Sequence, residues 1–224
     1  MIELLCKLRN WLASLRRPAS PGTPPPEAQE KTGADSVPAA TSAPWLTPEQ
    51  FRKAAGLPAV RAQDWYPHVL SACVEFGIVG PARVAAFLAQ VGHESGGFVH
   101  TREIWGPTPA QQRYEGRADL GNTQPGDGSR FRGRGLIQVT GRANYAAVAA
   151  GLGIDCVARP ELLEQPRHAA RSAAWWWVNN GCNEIADSGD LRALTRRING
   201  GENGLDDRVL RWELAKLHVG AEFV

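Results

Sequence analysis

Apolar residues in this 224-residue chain recur at helical spacing and almost nowhere alternate at period two. Such a chain has little material for a sheet, so a mainly α fold with at most a small β-hairpin is expected. Thr47-Pro48-Glu49-Gln50 reads as a helix start, with Thr as N-cap, Pro at the first helical position and Gln at the third. Helices are expected over residues 67–76, 81–94, 144–150, 167–178, 190–198 and 207–219. The clearest is 81–94, with Val84, Phe87, Leu88 and Val91 on one face. Residues 122–134 are rich in Gly, Pro and Asp and read as an irregular loop. No internal repeat is visible.

Three segments follow from composition. Residues 1–17 carry Ile2, Leu5, Leu8, Leu12 and Leu15 on one helical stripe, with Lys7, Arg9, Arg16 and Arg17 elsewhere. That is a short basic amphipathic helix, suited to an inner-membrane surface or to a partner. Residues 18–44 are rich in Pro, Ala, Ser and Thr and read as a semi-rigid linker. Residues 45–224 read as the globular domain. Nothing spans the roughly 18 apolar residues a bilayer requires. Lys7, Arg9 and Asn10 interrupt any signal-peptide core, so synthesis in the cytoplasm without a standard signal peptide is expected.

The net charge of +2 says little about partners. Between Arg102 and Arg142, seven Arg face four acids. This local excess suits either a polyanionic surface or structural Arg–carboxylate pairs. It is the only feature that suggests nucleic acid, and no nucleic-acid partner is expected. Cys6, Cys73, Cys156 and Cys182 match neither a zinc motif nor a disulfide framework. A Cys156–Cys182 bridge is conceivable, but a reducing compartment is the simpler reading. Of the consecutive Trp175, Trp176 and Trp177, most should serve the core, because a helix turns them to different faces.

The chemistry points to Glu94. Phe87, Val91 and Glu94 share a helical face, which puts a carboxylate in line with an apolar stripe. Burial would raise its pKa, as a general acid requires. Gly96-Gly97 then ends the helix. A zinc-protease reading of His93-Glu94 fails, because the second His would have to stand at position 97, which is Gly97. No metal or cofactor is expected. Glycoside hydrolysis needs a second carboxylate, and Glu103, Glu115, Asp119 and Asp127 are the candidates. Spacing alone does not choose among them.

The motifs His93-Glu94-Ser95-Gly96-Gly97-Phe98, Tyr114-Glu115-Gly116-Arg117, 120–128, 131–142 and Ile198-Asn199-Gly200-Gly201 resemble glycoside hydrolase family nineteen, in its chitinase-like and phage or bacterial endolysin branch. The resemblance covers about residues 50 to 220 and none of the first 44. It implies a lysozyme-like, two-lobed helical domain with a substrate cleft. It implies Glu94 as general acid and Glu115 as general base, with Thr140 helping to hold the attacking water. Gln138 and Asn199 would bind N-acetylated sugar, and Arg208 would interact with the carboxylates. His93 and Tyr114, inside the matching motifs, are assigned to substrate binding. The register of Glu202 against the family pattern is open. Inversion is implied, with a water between carboxyls about 6.5–9.5 Å apart.

The function expected is endo-acting, inverting cleavage of β-1,4 links in peptidoglycan, as in a muramidase-type endolysin that lyses cells from the periplasmic side, with residues 1–17 available as a membrane tether. Chitin hydrolysis on the same scaffold is the alternative. A lytic transglycosylase would manage with one carboxylate. A glycan-binding module with an inactive site is the non-enzymatic reading, opposed by Glu94, Glu115, Gln138, Thr140 and Asn199 standing together. A monomer is expected. Glycines 133, 135 and 141 are expected to let the backbone approach a sugar chain.

Overall fold

The computed structural model describes residues 45–220. The amphipathic segment 1–17 and the linker 18–44 lie outside the described residues. Ten helices run through the described part: α1 Pro48–Ala54, α2 Ala59–Glu75, α3 Pro81–Glu94, α4 Pro109–Gln112, α5 Asp127–Arg130, α6 Arg142–Leu152, α7 Pro166–Asn179, α8 Cys182–Asp187, α9 Leu191–Asn199 and α10 Leu205–Val219. Two 3-10 turns, Ala118–Leu120 and Pro160–Glu164, complete the set. No strand forms among the described residues. In keeping with the expectation of at most a small hairpin, the β structure there is two isolated antiparallel bridges, Arg102 with Arg134 and Arg134 with Val139.

Helix α3 is the axis of the molecule. Every residue from Val84 to Gly92 is buried, so it is covered all round rather than on the single face its pattern suggested. Helix α10 packs along it and also against α1, while α2 packs on α7. Phe87 meets Trp177 edge to face at 5.3 Å. Trp176 and Trp177 are core, as expected, and the Trp177 Nε1 donates to Asn183 Oδ1 at 2.9 Å. Trp175 is half-buried and covers Gly151, where an added Cβ would lie 2.2 Å from the indole nitrogen.

Thr47 caps α1 in a reciprocal capping box with Gln50, as its sequence predicted. Helix α2 begins eight residues earlier than the expected start at Pro67, which sits inside it. Ala62, Trp65, Val69, Ala72 and Cys73 form one continuous buried stripe across the proline. That burial outweighs the missing N–H. The loop 122–134 holds the single turn α5, and α4 and α8 are short turns without a periodic signature.

A small second cluster, Tyr114 and Leu120 with Trp105 packed on it, stands apart from the main core. It forms the centre of a small lobe of its own. Cys73, Cys156 and Cys182 are all free and buried, so the conceivable Cys156–Cys182 bridge does not form. Burial pushes the Cys73 and Cys182 thiols up to about 12 and that of Cys156 to about 11.

The arginine-rich stretch is largely structural. Arg117 pairs with Asp119, Arg134 with Glu164 at 2.7 Å, and Arg142 with Asp127 at 2.5 Å. Arg130 donates to the carbonyls of Val157 and Ala158.

Candidate active site

Glu94 is the last residue of α3. Its side chain is 1% exposed, and its Oε1 accepts from Arg208 Nη2 at 2.5 Å; the Arg208 side chain is 0% exposed. The apolar stripe therefore explains only half of its environment. Burial opposes the charged carboxylate, whereas the guanidinium favours it. Arg208 is held in turn. Its Nη1 donates to Gln90 Oε1, Gln90 Nε2 donates to Thr195 Oγ1 at 3.1 Å, and Thr195 Oγ1 donates to the Leu191 carbonyl at 2.8 Å. Helices α3, α9 and α10 are thus joined by one buried polar chain that ends on Glu94.

The turn after Glu94 is tightly determined. Ser95 Oγ donates to the Val91 carbonyl at 2.7 Å and accepts from Phe98 N at 2.8 Å. Phe98 adopts φ of 61°, rare for a residue with a side chain. Its buried ring, 5.4 Å from Trp65 and 6.0 Å from Phe51, holds it there. Among the described residues, Gln138 is the other non-glycine residue with positive φ, at 59°. Both lie in segments assigned to the site, where such strain tends to collect.

The four candidate second carboxylates separate cleanly. Asp119 and Asp127 are bound by Arg117 and Arg142 and serve the scaffold. Glu103 and Glu115 are held by uncharged donors instead. Glu103 Oε1 accepts from Gln111 Nε2 at 3.0 Å and from the Tyr114 hydroxyl at 3.4 Å, and its Oε2 accepts from Gly133 N at 3.1 Å. Gly133 also faces the two polar residues expected in the site. A Cβ there would lie 2.7 Å from Gln138 Oε1 and 3.3 Å from Thr140 Oγ1. Glu103, Gln138 and Thr140 are therefore grouped around Gly133. Glu115 is exposed, with Oε1 accepting from Gly126 N at 2.6 Å and Oε2 from Gly128 N at 2.8 Å. It caps the turn that starts α5.

Other expected residues take definite places. Thr140 is 7% exposed and donates to the Gln138 carbonyl at 3.0 Å. Gln138 Nε2 donates to the Gly135 carbonyl at 3.0 Å. Asn199 is fully buried; its Nδ2 ties down the Asn203 carbonyl at 3.1 Å, and its Oδ1 has no hydrogen-bond partner. Tyr114 is 1% exposed and acts as a prop for Glu103 rather than a sugar platform. Burial, reinforced by the nearby Glu103 charge, pushes its hydroxyl pKa upward.

His93 points at Asp207, with 2.7 Å between Nδ1 and Oδ2, and Arg211 Nε donates to the same oxygen at 2.7 Å. Burial works against the Asp207 charge, but Arg211 and His93 outweigh it and hold its carboxyl below the ordinary range. Glu202 is gripped by Arg192 and Arg196. Of the three glycines expected to admit a sugar chain, only Gly133 faces the site. Gly135 and Gly141 leave room for Ser172 and Leu120 instead.

A groove of about 550 Å³ runs past the Glu103 cluster, lined among others by His100, Arg102, Trp105, Arg132 and Glu164. Among the described residues no group of His, Cys, Asp or Glu could hold a metal ion. No helix of the described residues is long and apolar enough to cross a membrane.

Residues 74–187 match the profile of the family described as Chitinase class I, which covers half of the chain. A Haemophilus influenzae protein described as a glycosyl hydrolase family 19 domain-containing protein is 36% identical over 159 residues, covering 59% of this chain and 78% of that one. The chain belongs to glycoside hydrolase family 19. It is therefore a glycosidase. An endochitinase of Arabidopsis thaliana is 36% identical over 126 residues, 56% of this chain, and this family 19 chain spans only 42% of that protein's length. The fold matches the crystal structure of chitinase C from Streptomyces griseus with a TM-score of 0.62 and 25% identity, over 81% of this chain and 79% of that one.

Within this family 19 domain, Gln90, Thr195 and Gln111 are supports that the sequence reading did not single out. Gln90 lies four residues before Glu94, and that i, i+4 spacing on a buried helix was the available signal. Gln111 carried a different one: with Thr108 it forms a capping box.

Proposed function

We propose that this chain cleaves β-1,4 links in N-acetylated glycan strands of peptidoglycan by inverting hydrolysis. Glu94 is the general acid, buried against Arg208, which stabilises it as a carboxylate once it has given up its proton. The observation that carries the reading is the pair of carboxylates on separate elements: Glu94 at the end of α3, and Glu103 held by the small lobe and by Gly133. The geometry favours Glu103 as the base that activates water, because it is grouped with Gln138 and Thr140 around Gly133. The motif resemblance favours Glu115 for that part. Thr140 would help position the water, and Gln138 would meet the N-acetyl group.

Chitin is the second reading, supported by the chitinase names of the similar proteins. Delivery to the wall and attachment to the inner membrane through residues 1–17 complete the proposal.

Mass analysis of products from purified peptidoglycan, beside chitin oligosaccharides, tests the substrate. A product with a free reducing end is expected from one or both, and proton NMR of the first-formed anomer, taken before mutarotation, should show inversion. An anhydro product would overturn hydrolysis in favour of transglycosylation. Glu103→Gln and Glu115→Gln tell the bases apart: the base variant should lose about 10²–10⁴-fold in kcat, and the other far less.

A further inference from the structure

The groove beside Glu103 carries a charge that the reaction does not use. Arg102, Arg132 and Arg134 gather around Glu164. Arg134 claims that carboxylate at 2.7 Å, from a side chain only 7% exposed, while Arg102 stands 3.5 Å from its other oxygen. Three guanidiniums thus share one acid. Arg132 is the one left over: among the described residues no carboxylate pairs with it, and its buried Nε has no hydrogen-bond partner. It is fixed by its face instead, with its guanidinium 5.3 Å from the Trp105 ring centroid. Burial, then repulsion from Arg134 and Arg102, pushes its pKa down, the mark of a cation short of a counter-charge.

Trp105 rests in turn on Tyr114, which donates to Glu103. The unpaired cation and the Glu103 carboxylate, held by Gly133, are therefore parts of one wall. A planar guanidinium fixed by stacking retains its donor fork, which matches a carboxylate.

We propose that Arg132, stacked on Trp105 and flanked by Arg102, forms an anion subsite in the groove that receives a carboxylate-bearing substituent of the glycan. This rests on the glycosidase reading above and deepens it. The ligand class is a β-1,4-linked N-acetylhexosamine strand with acidic side groups, as opposed to a neutral one.

Two polymers with the same backbone test this directly: carboxymethyl chitin, which is acidic, and glycol chitin, which is neutral. The full chain should show a KM about five- to tenfold lower for the acidic polymer at low salt, and the advantage should shrink as salt screens it. Arg132→Gln should abolish most of that preference, raising KM for carboxymethyl chitin much more than for glycol chitin. Arg132→Lys keeps the charge but loses the fork and the stack, and should retain part of it. Circular dichroism and melting curves of both variants check folding. Equal KM values for the two polymers in the parent enzyme would overturn the anion subsite while leaving the glycosidase standing. An Arg132→Gln variant that is folded and keeps the full preference would overturn it as well. Cleavage of neither polymer, nor of peptidoglycan, would remove the glycosidase reading and the subsite with it.

Discussion

Arg208 and Glu94 have each left water for the other. Removing one buried partner leaves an uncompensated charge, a change that costs about 3–5 kcal/mol. Arg208→Ala should therefore lower the melting temperature by many degrees as well as abolish activity, and calorimetry measures the first part. Gln90→Leu should cost about 1–3 kcal/mol, since it strands one Arg208 N–H and frees the Thr195 hydroxyl. It should also displace the pH profile of kcat, which a loss of packing alone would not do. Asp127 behaves differently. Its hydrogen bond to Arg142 holds the carboxyl below the ordinary range, so folded Asp127 binds a proton less readily than unfolded. Its contribution is complete above the unfolded value of about 3.9 and is lost as pH falls through the lower folded value. Asp127→Asn should then be most destabilising near neutral pH and progressively less so below about pH 4; melting curves from pH 2 to 7 follow this. Glu94 was legible because a carboxylate that ends an apolar helix and precedes two glycines breaks a local rule. Glu103 was legible only as one of four candidates, because its supports stand 8 and 30 residues away in sequence and only folding brings them to it.

Helices were legible in proportion to their periodicity. Helix α3 runs over the expected residues 81–94, whereas α2 passes through Pro67 because its buried stripe begins before the proline. The single turns α4, α5 and α8 are too short to show a period, and two of them shape the site. Helix α10 contributes through its start. Gly204, with φ of 70°, lies so close to His93 that an added methyl would sit 2.2 Å from Cε1. Gly204→Ala should shift the first turn of α10, and Arg208 stands one turn along. An activity loss of at least about tenfold is expected, with a melting point that falls less than in Arg208→Ala, since one residue's strain costs of order 1–3 kcal/mol.

At the scale of the molecule, the shortage of alternating β-branched residues was enough to indicate a mainly helical domain. The order of the motifs was enough to indicate its family. The glycan it cuts was not legible in the same way, because the roles proposed for Gln138 and Thr140 would engage features common to chitin and peptidoglycan. The distinction falls to the wall that carries Arg132. Removal of residues 1–44 should leave turnover of soluble oligosaccharides within about twofold, since the family match lies wholly in residues 74–187, while association with membranes should drop if the proposed attachment runs through residues 1–17. Comparison of kcat/KM and of vesicle sedimentation before and after the truncation measures both.

The three buried thiols have a practical consequence. Cys73, Cys156 and Cys182 react only as thiolates, and burial leaves each largely protonated and shielded at neutral pH. In a Cys6→Ser background they become a built-in clock for opening of the domain. Labelling by a thiol reagent should proceed at the rate at which the interior comes apart, and a bound glycan strand should slow all three sites together.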